Sequence, residues 1–539
     1  MKVDTSLAAP DRKVVARQVL LFALGVLVLR MLASNVGRMS EGDEISIAAS
    51  IVSIVRDVPG DAYRYPVQFG YYRLVAMLVG VFGGDPSRVP FVMSWLSILA
   101  GVVIPVAGLL SFRHLLSVGE RWMAGFALVA NPIVWMSSRY GNTAMTSVAL
   151  TVSAIAILSN RPKRGTEVLA LALFGCAVMV RADAFLVSGA ILALLWQNHR
   201  GVVRTLAPLA ITGAIVLGVV LVLRLADPRM ESVAAAVGSH VGAPIKTRFF
   251  DFLLWAMSPL PLLFAAVGLR ELHRERRALF VALLAWCVPP MLFYFSTVTT
   301  PRYHLQAAIP LVLASAVGML SFVDGSGLRR RLAWVAVAGL GFVHLLVGLS
   351  YFSPSERRSY LKDATIPSDD GPVWTGALLY KSFVQRRVEP ARLLKSHYRA
   401  SNGAELTYAH AFDSLASGAR RGRRVVIANG GGYSSTMHLF ANMAGVLVTD
   451  RKPGLDFDRE TDMRLGGATV ISIGTSPLRK TTVQLPLRVG DELWLVDKDS
   501  ASAMREIEGR VPPEVVLVPQ PAWSSAPRML RFVASQRPQ

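Results

Sequence analysis

The chain has 539 residues, of which 53% are hydrophobic and only 17% charged, and its mean hydropathy is +0.43. A soluble domain carries about 25% charged residues, whereas here the apolar residues before position 353 fall in blocks of about 20, the length a bilayer span requires; a soluble enzyme, a disordered tail and a disulfide scaffold are excluded. The net charge of +21 does not read as nucleic-acid binding, because the basic residues sit in short loops between apolar blocks, the pattern that orients a membrane protein with its basic loops inside.

The N-terminal stretch MKVDTSLAAPDRKVVARQ runs into the first apolar block without a small-residue cleavage site. Block 14–33 therefore reads as a retained first span, not a cleaved signal peptide. The loop after it, SNVGRMSEGDEISIAASIVSIVRD, places Asp43 and Glu44 side by side behind Gly42, at the start of an apolar-periodic stretch. The ordinary structural reading is an acidic helix N-terminus, favoured by capping and by the helix dipole. The functional reading is a carboxylate at the membrane surface that accepts a proton from a hydroxyl nucleophile.

Segment 66–84 is apolar enough to span but carries Arg73, and parity decides its role. If it does not cross, the N-terminal 17 residues and the loops at 113–121, 160–166, 197–205, 270–278 and 323–331 share one side and hold 18 Lys and Arg. If it crosses, RPKR and RELHRERR move outside and the bias reverses. Segment 66–84 is thus expected as an interfacial or re-entrant helix. Eleven spans follow: 14–33, 90–112, 121–138, 143–160, 167–180, 184–197, 206–225, 251–269, 279–297, 302–322 and 331–352. The N-terminus is cytoplasmic and the C-terminus outside. Cys176 and Cys287 are the only cysteines, and both lie in apolar blocks, as inert core residues do.

Blocks 167–180 and 184–197 are half-length, and Arg181 and Asp183 separate them. A polar break at membrane depth must be buried in protein or line a cavity; the plainer alternative is a tight hairpin whose Arg181 and Asp183 pair. Further cations share the side of Asp43: Arg64 in DAYRYPVQFGYYR, Arg139 with Tyr140 in SSRYGN, Lys246 and Arg248 before the eighth span, and Arg302 with Tyr303 and His304 opening the tenth. Converging arginines hold phosphate or pyrophosphate through bidentate contacts. Taken singly, each also fits snorkelling at a span end.

Residues 353–539 change character, with 26 basic and 19 acidic residues and no apolar run of span length. Short β-rich runs (RRVVIAN, GVLVTD, ATVISIG, DELWLVD, EVVLVP) alternate with helical patterns such as SSTMHLFANMAG. Continuous apolar runs of this length read as buried parallel strands. A small α/β domain on the extracytoplasmic face is expected. Asn429-Gly430-Gly431-Gly432 follows a strand, but it lacks a Walker lysine and reads as a tight turn. His240, His344, His410 and His438 have no metal-ligand spacing.

The order of these features resembles the GT-C superfamily of membrane glycosyltransferases that use polyprenyl-phosphate sugars, the class of the protein O-mannosyltransferases and lipid A aminoarabinose transferases. The likeness covers about residues 14–352. It runs through one span and an acidic motif (Gly42-Asp43-Glu44), then an aromatic helix (YRYPVQFGYYRLVAMLVGVFGG) and a proline-ended span (VANPIVWMSSRYGN). A break at Val180-Arg181-Ala182-Asp183 and a span opening Arg302-Tyr303-His304-Leu305-Gln306-Ala307-Ala308-Ile309-Pro310 complete it. Departures are a lone Pro66 where relatives carry a proline pair, Ala182 where they carry proline, and Asn142 where several carry an acid.

The resemblance implies a polytopic α-helical catalytic domain over 1–352 and a soluble extracytoplasmic α/β domain over 353–539. It implies inverting transfer of a sugar from a polyprenyl-phosphate donor to a hydroxyl of a glycan, lipid or protein acceptor. Asp43 would be the general base, with Glu44 supporting it, and Arg302, Tyr303, Arg181, Arg64 and Arg139 would hold the donor phosphate. It implies no required cofactor, and Asn142 speaks against a divalent metal. Two other classes stay open on the residues. A lipid or ion transporter would show internal repeats and mid-span polar residues; a non-catalytic scaffold would have no use for adjacent Asp43 and Glu44.

Overall fold

A computed structural model of the protein describes residues 12–33, 42–55, 68–85, 88–138, 141, 143–226, 257, 259–295, 304–323, 331, 335, 338–339, 425–429, 447–448, 461–465, 468–474, 484–485, 487–496, 504, 507–521 and 529–538. The helices are α1 (Arg12–Ala33), α2 (Gly42–Val55), α3 (Phe69–Val81), α4 (Val89–Leu110), α5 (Val118–Ala130), α6 (Pro132–Ser137), α7 (Thr143–Leu158), α8 (Arg164–Val180), a 3-10 segment (Ala182–Val187), α9 (Ser188–His199), α10 (Val202–Ala226), α11 (Pro259–Glu275), α12 (Arg277–Phe295) and α13 (Leu305–Val323). The chain divides into two compact units. One comprises 1–36, 94–220 and 237–400; the other comprises 37–93, 221–236 and 401–539.

Among the described residues, four helical segments are long and apolar enough to cross a membrane: Lys13–Met31, Val89–Leu110, Val202–Leu223 and Arg277–Phe295. Phe69–Val81, Thr143–Leu158 and Leu305–Ser321 are shorter apolar helices. Expected spans 14–33 to 302–322 each overlap a described helix, while 331–352 lies almost wholly outside the described residues. Helix α3 occupies segment 66–84 with 13 residues, about 20 Å of helix against a hydrocarbon core of about 30 Å. Its Arg73 is exposed, and Tyr71, Tyr72, Val75 and Val79 are buried.

The expected single span 121–138 is broken. Pro132 has no N–H and disfavours the helical region for the residue before it, so Asn131 leaves the helix at φ −63°, ψ 126°. The Asn131 Oδ1 then accepts from the backbone N–H of Ile133 and of Val134, both at 3.2 Å, and starts α6. Helix α5 opens on a capping box: Ser117 Oγ accepts from Glu120 N at 3.3 Å, and Ser117 N donates to Glu120 Oε2 at 2.6 Å.

Two prolines leave carbonyls open, and one arginine closes both. Pro105 inside α4 cannot donate to the carbonyl four residues earlier, Gly101. The break at Pro132 takes the Ile133 N–H away from the Val129 carbonyl. Arg30 in α1 donates Nε to Gly101 O (3.4 Å) and Nη2 to Val129 O (3.2 Å), and its guanidinium lies 4.1 Å from the Trp135 ring centre. Arg30 is 1% exposed. An unsatisfied carbonyl in a lipid environment costs several kcal/mol, so the buried charge answers a backbone need. Gly101 must be glycine, since a Cβ there would lie 2.7 Å from the Ser138 Cβ.

Helices α11 and α13 cross at their closest point through Gly268 and Gly318. A Cβ on Gly268 would overlap the Ala314 carbonyl oxygen, and one on Gly318 the Phe264 carbonyl oxygen. Small residues spaced by four let apolar helices approach to backbone contact. The core of this unit runs through α4 to α9 and α11 to α13, with Trp286, Leu128, Met145 and Val312 among its buried members. Cys287 is buried as expected; Cys176 is not a core residue but is exposed. Helix α8 turns Ala170, Phe174 and Ala177 inward and leaves position 176 on the outer face.

The other unit holds α2 packed on α3 and a seven-stranded sheet of order β2-β3-β4-β1-β5-β7-β6. The strands are β1 (Val425–Asn429), β2 (Leu447–Val448), β3 (Thr461–Leu465), β4 (Ala468–Gly474), β5 (Glu492–Val496), β6 (Val515–Gln520) and β7 (Met529–Gln536). The expected parallel sheet is corrected to a mixed one. Among the described strands, β1 pairs parallel with β4 and with β5, and β2–β3, β3–β4, β5–β7 and β6–β7 are antiparallel. Five strands fall on the apolar runs of the sequence. β3 (TDMRL) and β7 (MLRFVASQ) are interrupted by polar residues, and every antiparallel pairing among the described strands includes one of these two. Leu493, Leu495, Ile507 and Phe532 form the core beside them. The boundary at 352/353, the helix read in SSTMHLFANMAG, Gly430 to Gly432 and the four histidines lie outside the described residues.

Candidate functional site

At one end of the helical unit, α8 stops and the chain turns through Arg181 into the 3-10 segment. Arg181 N still donates to Ala177 O (2.9 Å), and Ala184 N donates to Arg181 O (3.1 Å). Arg181 itself is extended (φ −160°, ψ 116°), which swings its side chain off the α8 surface. The Nε then meets both oxygens of Asp183, at 2.8 and 2.7 Å. Arg181 is 8% exposed and Asp183 is partly buried. Nη1 reaches Thr143 Oγ1 at 3.4 Å, at the start of α7, and Ser147 Oγ donates to Ala177 O at 3.1 Å.

Two more helix ends close on this junction. Tyr294, at the end of α12, donates its hydroxyl to Asp183 Oδ2. Its ring stands edge-on to His304, with ring centres 5.9 Å apart, immediately before α13. His304 is 0% exposed. Gln306 follows in the first turn of α13, 3% exposed, with neither amide atom hydrogen-bonded; Thr146 Oγ1 on α7 is also buried without a partner. Buried polar atoms are normally satisfied, so these two side chains are exceptions among the described residues of α7 and α13. Asp183 holds Arg181 and Tyr294 in one geometry.

Arg276 belongs to a different junction, between α11 and α12. Its Nη1 binds Glu120 at 2.7 Å to both oxygens and Leu115 O at 3.1 Å. Burial pulls its pKa down, but the hydrogen bond and charge of Glu120 outweigh that and leave it raised above the ordinary arginine value. This pair ties the start of α5 to α12 and is structural.

Of the residues singled out in sequence, Asp43 and Glu44 lie in the first turn of α2, and their side chains fall outside the described residues. Arg64, Arg139, Tyr140, Asn142, Lys246, Arg248, Arg302 and Tyr303 also lie outside them. Arg181 is described, and it is paired with Asp183 as the hairpin reading expected. The sequence reading passed over Tyr294, Thr143 and Arg30, and named Gln306 only within the run that opens the tenth span. Arg30 carried a signal, since a charge inside a span is rare and demands a partner. Tyr294 carried none, being one aromatic residue at the end of an apolar block.

The fold is similar to that of ArnT from Cupriavidus metallidurans. The crystal structure with undecaprenyl phosphate bound superposes with a TM-score of 0.56 at 13% identity, over 97% of this chain and 100% of that one. The apo form gives 0.54 at 13% identity, over 96% and 98%. The oligosaccharyltransferase AglB from Archaeoglobus fulgidus, in complex with an inhibitory peptide and a dolichol-phosphate, gives 0.46 at 12% identity, over 79% and 63%. No protein-family model matches the chain, and no curated protein matches it by sequence. In fold, the chain is similar to both ArnT structures over nearly its whole length.

Proposed function

We propose that the protein is an integral membrane glycosyltransferase that moves a sugar from a polyprenyl-phosphate donor to an acceptor hydroxyl on the extracytoplasmic face of the membrane. The observation that carries this reading is the end-to-end likeness of fold to a protein crystallised with undecaprenyl phosphate. The acidic pair opening α2, directly after the first apolar helix, supports it, as does the buried polar cluster around Arg181.

Asp43 takes the proton of the acceptor hydroxyl as its oxygen attacks the anomeric carbon. The bond from that carbon to the phosphate oxygen breaks, its electron pair leaves with the polyprenyl phosphate, and the configuration inverts. Glu44 orients the acceptor. General base catalysis of this kind contributes on the order of 10²–10⁴-fold. The leaving phosphate needs cations, not a proton. Arg302 and Tyr303, with Arg64 and Arg139, are assigned to it, and Arg181 joins them through its Nη edge while Asp183 holds its Nε. Placement of fixed donors where charge develops contributes on a similar scale. The reaction as written uses no metal. The acceptor, whether glycan, lipid or protein, reaches the site from the aqueous side.

The test is transfer of labelled sugar from a polyprenyl-phosphate donor by the purified full chain and by Asp43→Asn. The substitution keeps size and hydrogen bonding but removes the proton acceptor. Loss of transfer with donor binding retained is expected; wild-type turnover would overturn the assignment of the base.

A further inference from the structure

At the opposite end of α12 from Tyr294, a groove of about 760 Å³ runs between α9, α10 and α12. From Arg277 to Tyr294 is 17 residues, roughly 25 Å along a helix, so the Arg277 end of the groove is that far from the polar cluster, and the groove reaches along α12 to Ala285. Its wall is apolar for most of its length: Leu192, Ala193, Trp196, Val202, Leu206 and Val281. Its floor is built, not accidental. Gly189 packs so closely on α12 that a Cβ would lie 3.1 Å from Ala285 O, and Gln197 Nε2 donates to Ala278 O at 3.0 Å. The volume is in the range of small-molecule sites.

Two observations say what fills it. Helix α10 is the most apolar of the span-length helices, and apart from Thr205 none of its described Val202–Leu223 side chains is buried, so the groove opens on the surface a bilayer covers. At its mouth stands Arg277, exposed and without an ion pair among the described residues. Arg200 and Arg204 are also exposed, in the turn and first helical turn beside the lining residues Val202 and Thr205. Of the acids of this end, Glu120 is taken by Arg276 and Glu167 by His199, while Glu271 and Glu275 at the end of α11 lie near Arg276. An apolar trough that ends at cations matches an acyl chain with an anionic head group.

We propose that this groove is a binding site for an anionic phospholipid, with an acyl chain along α9 and α12 and the head-group phosphate at Arg277. The site does not depend on the transfer chemistry. The lipid braces α10 against α9 and α12, where the chain itself leaves a gap.

The test is native mass spectrometry and thermal unfolding of the full chain in detergent, with added phosphatidylglycerol or with phosphatidylcholine of the same acyl chains. Wild type is expected to retain phosphatidylglycerol and to gain Tm with it, and not with phosphatidylcholine. Arg277→Ala should weaken phosphatidylglycerol about tenfold, the loss of one charge-assisted contact, and Arg277→Lys less. Ala193→Phe, which fills the trough, should abolish retention while keeping the lipid-free Tm. If Ala193→Phe lowers that Tm, Val281→Phe blocks the same trough from α12. Equal retention of the two lipids, retention unchanged by both fillers, or a second copy of the chain in place of lipid would each overturn the proposal.

Discussion

Tyr294 donates its hydroxyl to Asp183 Oδ2, the same oxygen that accepts from the Nε of Arg181. One carboxylate thus holds a cation from the α8 junction and a phenol from the end of α12. Removing Asp183 leaves a buried guanidinium uncompensated, at about 3–5 kcal/mol. Removing only the Tyr294 hydroxyl loses one hydrogen bond to a charged group, about 1.5–3 kcal/mol. Asp183→Asn should therefore unfold at a clearly lower temperature than Tyr294→Phe. The double variant Arg181→Met with Asp183→Leu should recover much of the loss, because it removes both charges. A double-variant Tm no higher than that of Asp183→Asn would show that the pair is not the source of the cost.

The Arg181–Asp183 pair was legible because its members are two residues apart and break an apolar block. Tyr294, 111 residues away from Asp183, was not, since nothing in a sequence fixes which helix ends meet. The break at Asn131-Pro132 was legible in principle: proline excludes the residue before it from the helix, but an unbroken apolar run outweighed it in the reading. The strands with continuous apolar cores were found, and β3 and β7 were missed because polar residues interrupt both, three of five in β3 and three of eight in β7. The approach of Gly268 to Gly318 is a property of two helix surfaces together and has no signature in either alone.

Arg30 supports a prediction on backbone satisfaction. Arg30→Met should destabilise the helical unit, because Gly101 O and Val129 O lose their donors at about 1–3 kcal/mol each. Pro105→Ala restores an N–H four residues after Gly101. In the Arg30→Met background it should return part of the lost stability, whereas alone it should change little, since Arg30 already serves that carbonyl. Thermal unfolding of the four proteins gives the coupling. Strictly additive effects would refute a shared carbonyl.

Glycine substitutions should divide sharply. Gly268→Ala places a methyl group on the backbone of α13, where no rotamer relieves it, and should cost at least the 1–3 kcal/mol of an overpacked core. Gly213→Ala in α10 meets nothing within 4 Å and should be neutral or stabilising by up to about 1 kcal/mol through helix propensity. Comparable Tm values for the two variants would contradict the close crossing of α11 and α13.

The last prediction concerns Arg302, the cation that opens the block ending in α13. A phosphate held at the membrane surface sits in a lower effective dielectric than bulk water, so one arginine contact there outweighs an exposed ion pair. Such a charge-assisted contact is worth roughly 1.5–3 kcal/mol, or about 10- to 150-fold in donor affinity. Arg302→Ala should raise the donor KM by that factor and leave the acceptor KM nearly unchanged. Arg302→Lys should recover only part of it, because lysine keeps the charge but loses the planar fork that binds two phosphate oxygens at once. Donor titrations at fixed acceptor, and acceptor titrations at saturating donor, separate the two effects. If Arg302 only anchors a span end at the interface, both substitutions leave the donor KM where it was, and the phosphate contact falls to Arg64, Arg139 and Arg181.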